Sequence, residues 1–170
     1  MPTDADLMKL AARLGERLLA AGVRLVTAES CTGGWISKVI TDVPDSSQWF
    51  ECGLVTYSNE AKMRDLGVSG DTLAQHGAVS EATVREMAAG ALRVSGARIA
   101  VAVSGVAGPR GGTPEKPVGT VWFSVGVQGA SGPEVRCQLM HFDGDREAVR
   151  RQSVAHALQM LMQTALPVAP

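Results

Sequence analysis

The sequence has few of the residues that build metal sites and disulfide frameworks. Its 170 residues include three histidines, three cysteines and one tyrosine. No CxxC, HxxxH or HExxH pattern brings potential metal ligands together, so we predict neither a metal site nor another cofactor. The three cysteines are an odd number without paired spacing, which favours free thiols (Cys31, Cys52 and Cys137).

The sequence also has no excess of positive charge and no long apolar segment. Sixteen lysines and arginines face seventeen acidic residues, so no basic field is present to hold nucleic acid. The apolar runs fall far short of the roughly 20 residues that span a bilayer. The first 22 residues lack the basic and then apolar layout of a signal peptide. We therefore expect a soluble cytoplasmic protein with no nucleic-acid or membrane partner.

The length and the 45% hydrophobic content suit one domain over residues 1–170. Many small enzymes of this size are two-fold symmetric, so a homo-oligomer, and first of all a dimer, is expected.

Apolar periodicity predicts helices that alternate with strands along most of the chain. Regularly spaced leucines predict a first helix over Asp4–Ala21, and further helices are expected near 34–41, 59–66, 81–95 and after Asp143–Asp145. Strands are expected at 23–28, 53–57 and 98–104, followed by an antiparallel hairpin of 118–127 and 135–142. This order indicates the α/β class, a three-layer α/β/α sandwich with a mixed, mostly parallel sheet.

The segment TAESCTGG (27–34) joins the first strand to a helix and places Ser30 on the turn. Backbone N–H groups at a helix start can bind an anion or a developing oxyanion, and glycines allow close approach. The residues that would bind the ligand in this way are Cys31, Thr32, Gly33 and Gly34. An ordinary turn capped by Ser30 or Thr32 is the alternative.

The segment YSNEAK (57–62) supplies a candidate base, because a serine hydroxyl needs one and no histidine lies near a candidate serine. Lys62 can serve as the base if burial lowers its pKa. Its position in the first turn of a helix also lowers its pKa, because the positive end of the helix dipole disfavours the charged amine. Tyr57 is a candidate to relay the proton or to orient the lysine. This interpretation requires a buried Lys62 beside Ser30; the alternative is a surface lysine.

A glycine-rich stretch follows the third strand, and its exposed N–H groups can form a phosphate-binding nest. Arg110 and Lys116 would add positive charge, although the stretch matches neither a P-loop nor G-x-G-x-x-G. A long connecting loop is the alternative. The candidate substrate-binding residues of this region are Ser104, Gly105, Gly108, Gly111, Gly112 and Thr113.

Cys31 offers a second candidate nucleophile, since a thiol at a helix start can have a lowered pKa. Glu29 would then act as base, with Lys62 as a charged stabiliser. A small buried residue that packs against the sheet is the favoured alternative.

Taken in order, the segments TAESCTGG, VTYSNEAK, GAVSE, SGVAGPRGGTPEKPVGTVWFS and GDREAVRRQ resemble the CinA C-terminal domain family, especially its stand-alone nicotinamide-nucleotide amidohydrolases. The resemblance runs from about Asp6 to Leu166. It implies a five-stranded mixed sheet and hydrolysis of nicotinamide mononucleotide (NMN) to nicotinic acid mononucleotide and ammonia, in pyridine nucleotide salvage. It also implies that Ser30 is the nucleophile, Lys62 its base and Tyr57 an assisting residue.

Two departures from the family pattern limit what the resemblance implies. Arg110 stands where relatives often carry an acidic or small residue, so the charge of the glycine-rich stretch stays open. The molybdopterin-binding-like domain of longer members has no counterpart, so we expect no nucleotide pyrophosphatase activity. A non-catalytic nucleotide-binding module, or an interaction module associated with competence or DNA damage, is the alternative function.

Overall fold

The computed structural model describes residues 1–167, which form helices and strands in near alternation. The helices are α1 (Asp4–Ala21), α2 (Trp35–Thr41), α3 (Asn59–Leu66), α4 (Gly70–His76), α5 (Glu81–Ser95) and α6 (Arg146–Gln163). The strands are β1 (Leu25–Glu29), β2 (Phe50–Val55), β3 (Ile99–Gly105), β4 (Thr120–Gly129) and β5 (Gly132–His141).

The strands form one sheet in the order β2-β1-β3-β4-β5. β1 pairs in parallel with β2 and β3, whereas β4 runs antiparallel to both β3 and β5. Four strands therefore share one direction and β4 opposes them. The predicted hairpin and the mixed five-stranded sheet are confirmed.

Helices cover both faces of the sheet and give the predicted three layers. One core lies under α1, α2 and α6, and the other lies under α3, α4 and α5. Along β3, Val101 and Val103 enter the first core, while Ala100 and Ala102 enter the second. Because both faces of β3 are buried, its sequence is a nearly continuous apolar run.

Side-chain caps fix the starts of the main helices. Thr3 and Asp6 form a capping box at α1, and Ser58, Ser80 and Asp145 cap α3, α5 and α6 through their side-chain oxygens.

Some predicted boundaries differ from the structure. β1 extends through Glu29, and β2 ends at Val55, so Tyr57 follows the strand instead of ending it. Helix α4 was not predicted, because it is seven residues long and buries only Leu73, which leaves no periodic apolar pattern to detect.

The carboxyl ends of β1, β2 and β3 meet at one edge of the sheet. The chain leaves β1 toward β2 on one side and returns to β3 on the other, which makes this edge a topological switch point. Ser30 follows β1, Tyr57 lies two residues after β2, and Ser104 lies at the end of β3. All three candidate segments therefore converge here. None of the helices in residues 1–167 has the length and apolar character needed to traverse a membrane.

Candidate active site

A cavity of about 210 Å³ opens at this edge of the sheet. Its lining residues come from five chain segments: Ser30, Cys31, Tyr57, Lys62, Ala78, Val79, Ser104, Gly105, Ala107 and Arg146. A larger cavity of about 510 Å³, beside β5 and the end of α6, contains none of the predicted catalytic residues. Within residues 1–167, no group of three or more histidine, cysteine or carboxylate side chains is placed to hold a metal ion.

Lys62 lies beside Ser30 in the floor of the cavity. Its Nζ atom is 2.9 Å from Ser30 Oγ, 2.8 Å from the Thr56 carbonyl oxygen and 3.4 Å from the Tyr57 carbonyl oxygen. Lys62 is fully buried and Ser30 is 8% exposed. The expectation of a buried lysine next to Ser30 is confirmed, and the surface-lysine alternative is wrong.

The surroundings of Lys62 favour its neutral form. Burial lowers the pKa of Lys62 from its usual value. None of the ion pairs found in residues 1–167 includes Lys62. A neutral amine has two N–H donors and one lone pair. When the two carbonyl oxygens accept the donors, the lone pair is left for the Ser30 hydroxyl, which is the geometry of a base.

Local packing holds Lys62 in place. The Thr56 N–H donates to the Glu29 carbonyl at 2.9 Å, which ties the segment before α3 to the end of β1. At the other end of α3, a Cβ atom on Gly90 would lie 1.9 Å from the Leu66 carbonyl oxygen. The backbones of α5 and α3, the helix that carries Lys62, are therefore in direct contact.

The Tyr57 side chain lies at the mouth of the cavity and not against the lysine. It is 61% exposed, and its hydroxyl group accepts a 3.0 Å hydrogen bond from Arg146 Nη2. Only the main-chain carbonyl of Tyr57 contacts Lys62. Two backbone carbonyls therefore contact Lys62 where the tyrosine side chain was expected to orient it, and the other expected role of Tyr57, as a proton relay, stays a prediction.

The Glu29 side chain binds one of the four N–H groups that were expected to face a ligand, that of Gly34, together with two N–H groups of helix α2. Its carboxylate accepts from the N–H groups of Gly34 at 3.1 Å, Ile36 at 3.0 Å and Ser37 at 2.8 Å. The hydroxyl groups of Thr32 and Ser37 also donate to it, each at 2.7 Å. Glu29 thus caps the first turn of α2, in place of the predicted Ser30 or Thr32 cap.

Two N–H groups of the turn remain available. Gly33 donates to the Ser30 carbonyl at 3.0 Å, so with Gly34 engaged by Glu29 neither glycine offers a free N–H group. The N–H groups of Cys31 and Thr32 form no hydrogen bond to another residue within residues 1–167. The expected oxyanion donors are thereby reduced from four to these two.

Cys31 is a poor candidate nucleophile. Burial raises the pKa of its thiol to about 12, which leaves very little thiolate near neutral pH. Glu29, its proposed base, already accepts five hydrogen bonds within 3.1 Å. These contacts argue against the cysteine alternative.

The glycine-rich stretch contributes to the site through its first half. Ser104 and Gly105 line the cavity, and the Gly108 carbonyl accepts a 2.7 Å hydrogen bond from Arg146 Nη1. Three further candidates lie outside the cavity lining: Gly111, Gly112 and Thr113. Lys116 closes a turn with Thr113 and donates through Nζ to the His76 carbonyl, and it is not among the lining residues of the cavity.

Helix α6 supplies two arginines to which the sequence analysis gave no role. Arg146 bridges Tyr57 and Gly108 across the mouth, and Arg150 donates to the carbonyl groups of Cys31 and Thr32. Both lie in the quoted GDREAVRRQ segment, four residues apart and hence on one face of the helix. This four-residue spacing was the sequence signal from which a shared role of the two arginines could have been predicted.

Comparison with known proteins places the same segments in one family. The sequence profile of the CinA C-terminal domain matches residues 7–165. The chain is 57% identical over 165 residues to a nicotinamide-nucleotide amidohydrolase, PncC, of Escherichia coli (strain K12), covering 96% of this chain and 98% of that protein. It is also 57% identical over 154 residues to PncC of Pseudomonas putida, covering 91% and 94% of the two chains.

A solved structure supports the same relationship. The competence damage-inducible protein A (ComA) from Klebsiella pneumoniae superposes with a TM-score of 0.88 at 44% identity, covering 93% of this chain and 96% of that one. With a family profile that spans nearly the whole chain and relatives of this identity, the chain belongs to the CinA C-terminal domain family.

Proposed function

We propose that the chain hydrolyses the carboxamide of NMN to nicotinic acid mononucleotide and ammonia, with Ser30 as nucleophile and Lys62 as its base. The observation that carries this is the 2.9 Å contact between Lys62 Nζ and Ser30 Oγ in a buried cavity. The substrate follows from the relatives, which are named nicotinamide-nucleotide amidohydrolases.

The first half-reaction acylates the serine. Neutral Lys62 takes the Ser30 proton as Oγ attacks the carboxamide carbon, and the carbonyl oxygen becomes an oxyanion. The N–H groups of Cys31 and Thr32 are the donors available to it, and one such donor is worth about 3 kcal/mol. Protonated Lys62 then transfers the proton to the departing nitrogen, which leaves as ammonia.

The second half-reaction uses the same groups in the reverse order. Lys62, neutral again, takes a proton from water, and the hydroxide attacks the acyl carbon. Collapse of the second tetrahedral intermediate breaks the bond to Ser30 Oγ, and Lys62 returns the proton to the serine. Because every proton is accounted for by Lys62, we propose a cycle that needs no metal or other cofactor.

The size of the cavity indicates how the nucleotide lies. At about 210 Å³, it is smaller than the roughly 300 Å³ typical of the smallest ligand pockets. The pyridine carboxamide therefore enters the cavity, and the ribose and phosphate extend past Tyr57 and Arg146. The proposed contacts are Cys31, Thr32, Gly33 and Gly34 on the nucleophile turn and Ser104, Gly105, Gly108, Gly111, Gly112 and Thr113 on the glycine-rich stretch.

The proposal includes the setting of the enzyme. We propose that residues 1–170 act as one domain in the cytoplasm, in pyridine nucleotide salvage. The working unit is proposed to be a homo-oligomer, with a dimer as the first candidate, and without nucleic-acid or membrane partners.

The test is ammonia release from NMN, without added metal, by the wild type and by Ser30→Ala and Lys62→Met. Lys38→Met is the control, because Lys38 is exposed on α2 and pairs with Asp42. We expect turnover by the wild type and Lys38→Met and almost none by the other two. Full activity of Ser30→Ala would refute the serine mechanism. A wild type that binds NMN without turnover would favour the non-catalytic module.

A further inference from the structure

Arg150 binds the main chain of the nucleophile turn from helix α6. Its Nε atom is 3.1 Å from the Cys31 carbonyl oxygen and its Nη2 atom is 2.8 Å from the Thr32 carbonyl oxygen. The guanidinium carbon also lies 5.3 Å from the ring centre of Trp35. One side chain thus holds two consecutive peptide groups that lie more than one hundred residues away in the sequence.

The first of these peptide groups also contains an unpartnered donor. The carbonyl of Cys31 and the N–H of Thr32 belong to the same peptide unit, which is planar and trans, so they point in opposite directions. Of the two residues that share this peptide unit, Cys31 lines the cavity, while Thr32 and Arg150 lie outside its lining. The Thr32 N–H therefore points away from Arg150, and within residues 1–167 it has no hydrogen-bond partner. A buried N–H without a partner is uncommon and suggests a ligand.

We propose that Arg150 is a positioning residue for the oxyanion hole: by holding the Cys31 carbonyl, it keeps the Thr32 N–H directed at the oxyanion formed on Ser30. This inference rests on the proposed amide hydrolysis. The second candidate donor is fixed by the turn itself, because the Ser30 carbonyl, which shares a peptide unit with the Cys31 N–H, accepts from Gly33.

The two contacts favour an arginine over a lysine at this position. A planar guanidinium can donate to two carbonyl groups at once, whereas an ammonium group is a single point donor. Gly33 lies next to the guanidinium: its φ of +61° favours glycine, and a Cβ atom there would lie 3.4 Å from Arg150 Nη2, in van der Waals contact with it. The glycine that was expected to admit a ligand instead lies against this arginine.

The test compares Arg150→Gln and Arg150→Lys with a matched control, Arg151→Gln. Arg151 lies next along α6 and also approaches the Trp35 ring, at 4.9 Å, but it pairs with Asp4 and Glu147 and not with the turn. For Arg150→Gln we expect kcat for NMN to fall about 100-fold, because the donor is misplaced. KM should change little, and Arg150→Lys should lie in between.

Inhibitor binding separates positioning from general destabilisation. The aldehyde analogue of NMN forms a tetrahedral adduct with Ser30, so its affinity should fall by the same factor as kcat in Arg150→Gln. The affinity of nicotinic acid mononucleotide, a ground-state ligand, should stay at the wild-type value. If Arg150→Gln does not fold, Arg150→Lys carries the comparison.

Three outcomes would overturn the inference: wild-type kcat in the Arg150 variants, an equal loss in Arg151→Gln, or a loss confined to KM with aldehyde binding unchanged. These failures differ from failure of the proposed function, in which the wild type itself releases no ammonia.

Discussion

The buried Lys62 should make the stability of the protein depend on pH in a direction opposite to that of a paired lysine. Burial lowers the pKa of Lys62 in the folded state, while in the unfolded chain it returns to about 10.4. Between these two values the unfolded chain binds one more proton than the folded protein. The free energy of unfolding therefore rises with pH across this window.

The size of the effect follows from the linkage relation. Each pH unit inside the window adds up to about 1.4 kcal/mol to the stability. At a pH below the pKa of Lys62 in the folded protein, the free-energy cost of burying the charged amine is present in full. This cost disappears as the pH approaches the pKa of Lys62 in the unfolded chain. Lys62→Met removes the titrating group, so the difference in stability between wild type and variant isolates this contribution.

The assay is urea unfolding of the wild type and Lys62→Met at pH 7, 8 and 9. The stability of the wild type relative to the variant should increase with pH, and kcat/KM for NMN should rise over the same range, because both report deprotonation of one amine. Lys38→Met, which removes an exposed lysine paired with Asp42, should show no such slope. A flat difference between wild type and Lys62→Met, or a slope of opposite sign, would refute the assignment of a neutral lysine base.

Three further predictions concern Cys31 and two helices that carry site residues, α3 and α6. Because burial raises the pKa of Cys31 to about 12, Cys31→Ala should keep most of the wild-type kcat; loss of activity comparable to Ser30→Ala would restore the cysteine alternative. Gly90→Ala should lower the free energy of unfolding by about 2 kcal/mol, since the added methyl group meets the Leu66 carbonyl oxygen, and an unchanged urea midpoint would contradict the close contact of α5 and α3. Asp145→Ala removes the cap of α6 and should cost about 1 kcal/mol by urea unfolding, whereas Asp143→Ala should have almost no effect.

Sequence patterns were sufficient for the elements that carry strong local signals. Helix α1 has a capping box and a leucine stripe, and its predicted range matches the structure. The apolar run of β3 and the glycine-rich hairpin turn predicted the centre and the antiparallel side of the sheet. The meeting of Ser30 and Lys62 followed from a general rule, that candidate groups after parallel strands share one edge of the sheet.

Contacts made by main-chain atoms were not predictable in this way. Side-chain identity suggested that Tyr57 orients Lys62, yet the acceptors are the carbonyl groups of Thr56 and Tyr57, which every residue type possesses. The hydrogen bonds from Arg150 to two carbonyl groups depend on where helix α6 packs. No local sequence pattern specifies the packing position of a helix. The sequence therefore predicted which side chains meet at the site better than it predicted the contacts that hold them there.

The separation of Glu29 from Lys62 shows why those unpredicted contacts matter. A buried carboxylate within ion-pair distance would raise the pKa of Lys62 and keep it protonated, which would remove the base. Glu29 directly precedes Ser30, the proposed nucleophile, and is fully buried, yet no ion pair joins it to Lys62 among the described residues. Its negative charge is stabilised by five donors from the turn and the first turn of α2. The fold thus satisfies the carboxylate with hydrogen-bond donors and leaves the amine without a counter-ion, and the proposed role of Lys62 as a base requires this asymmetry.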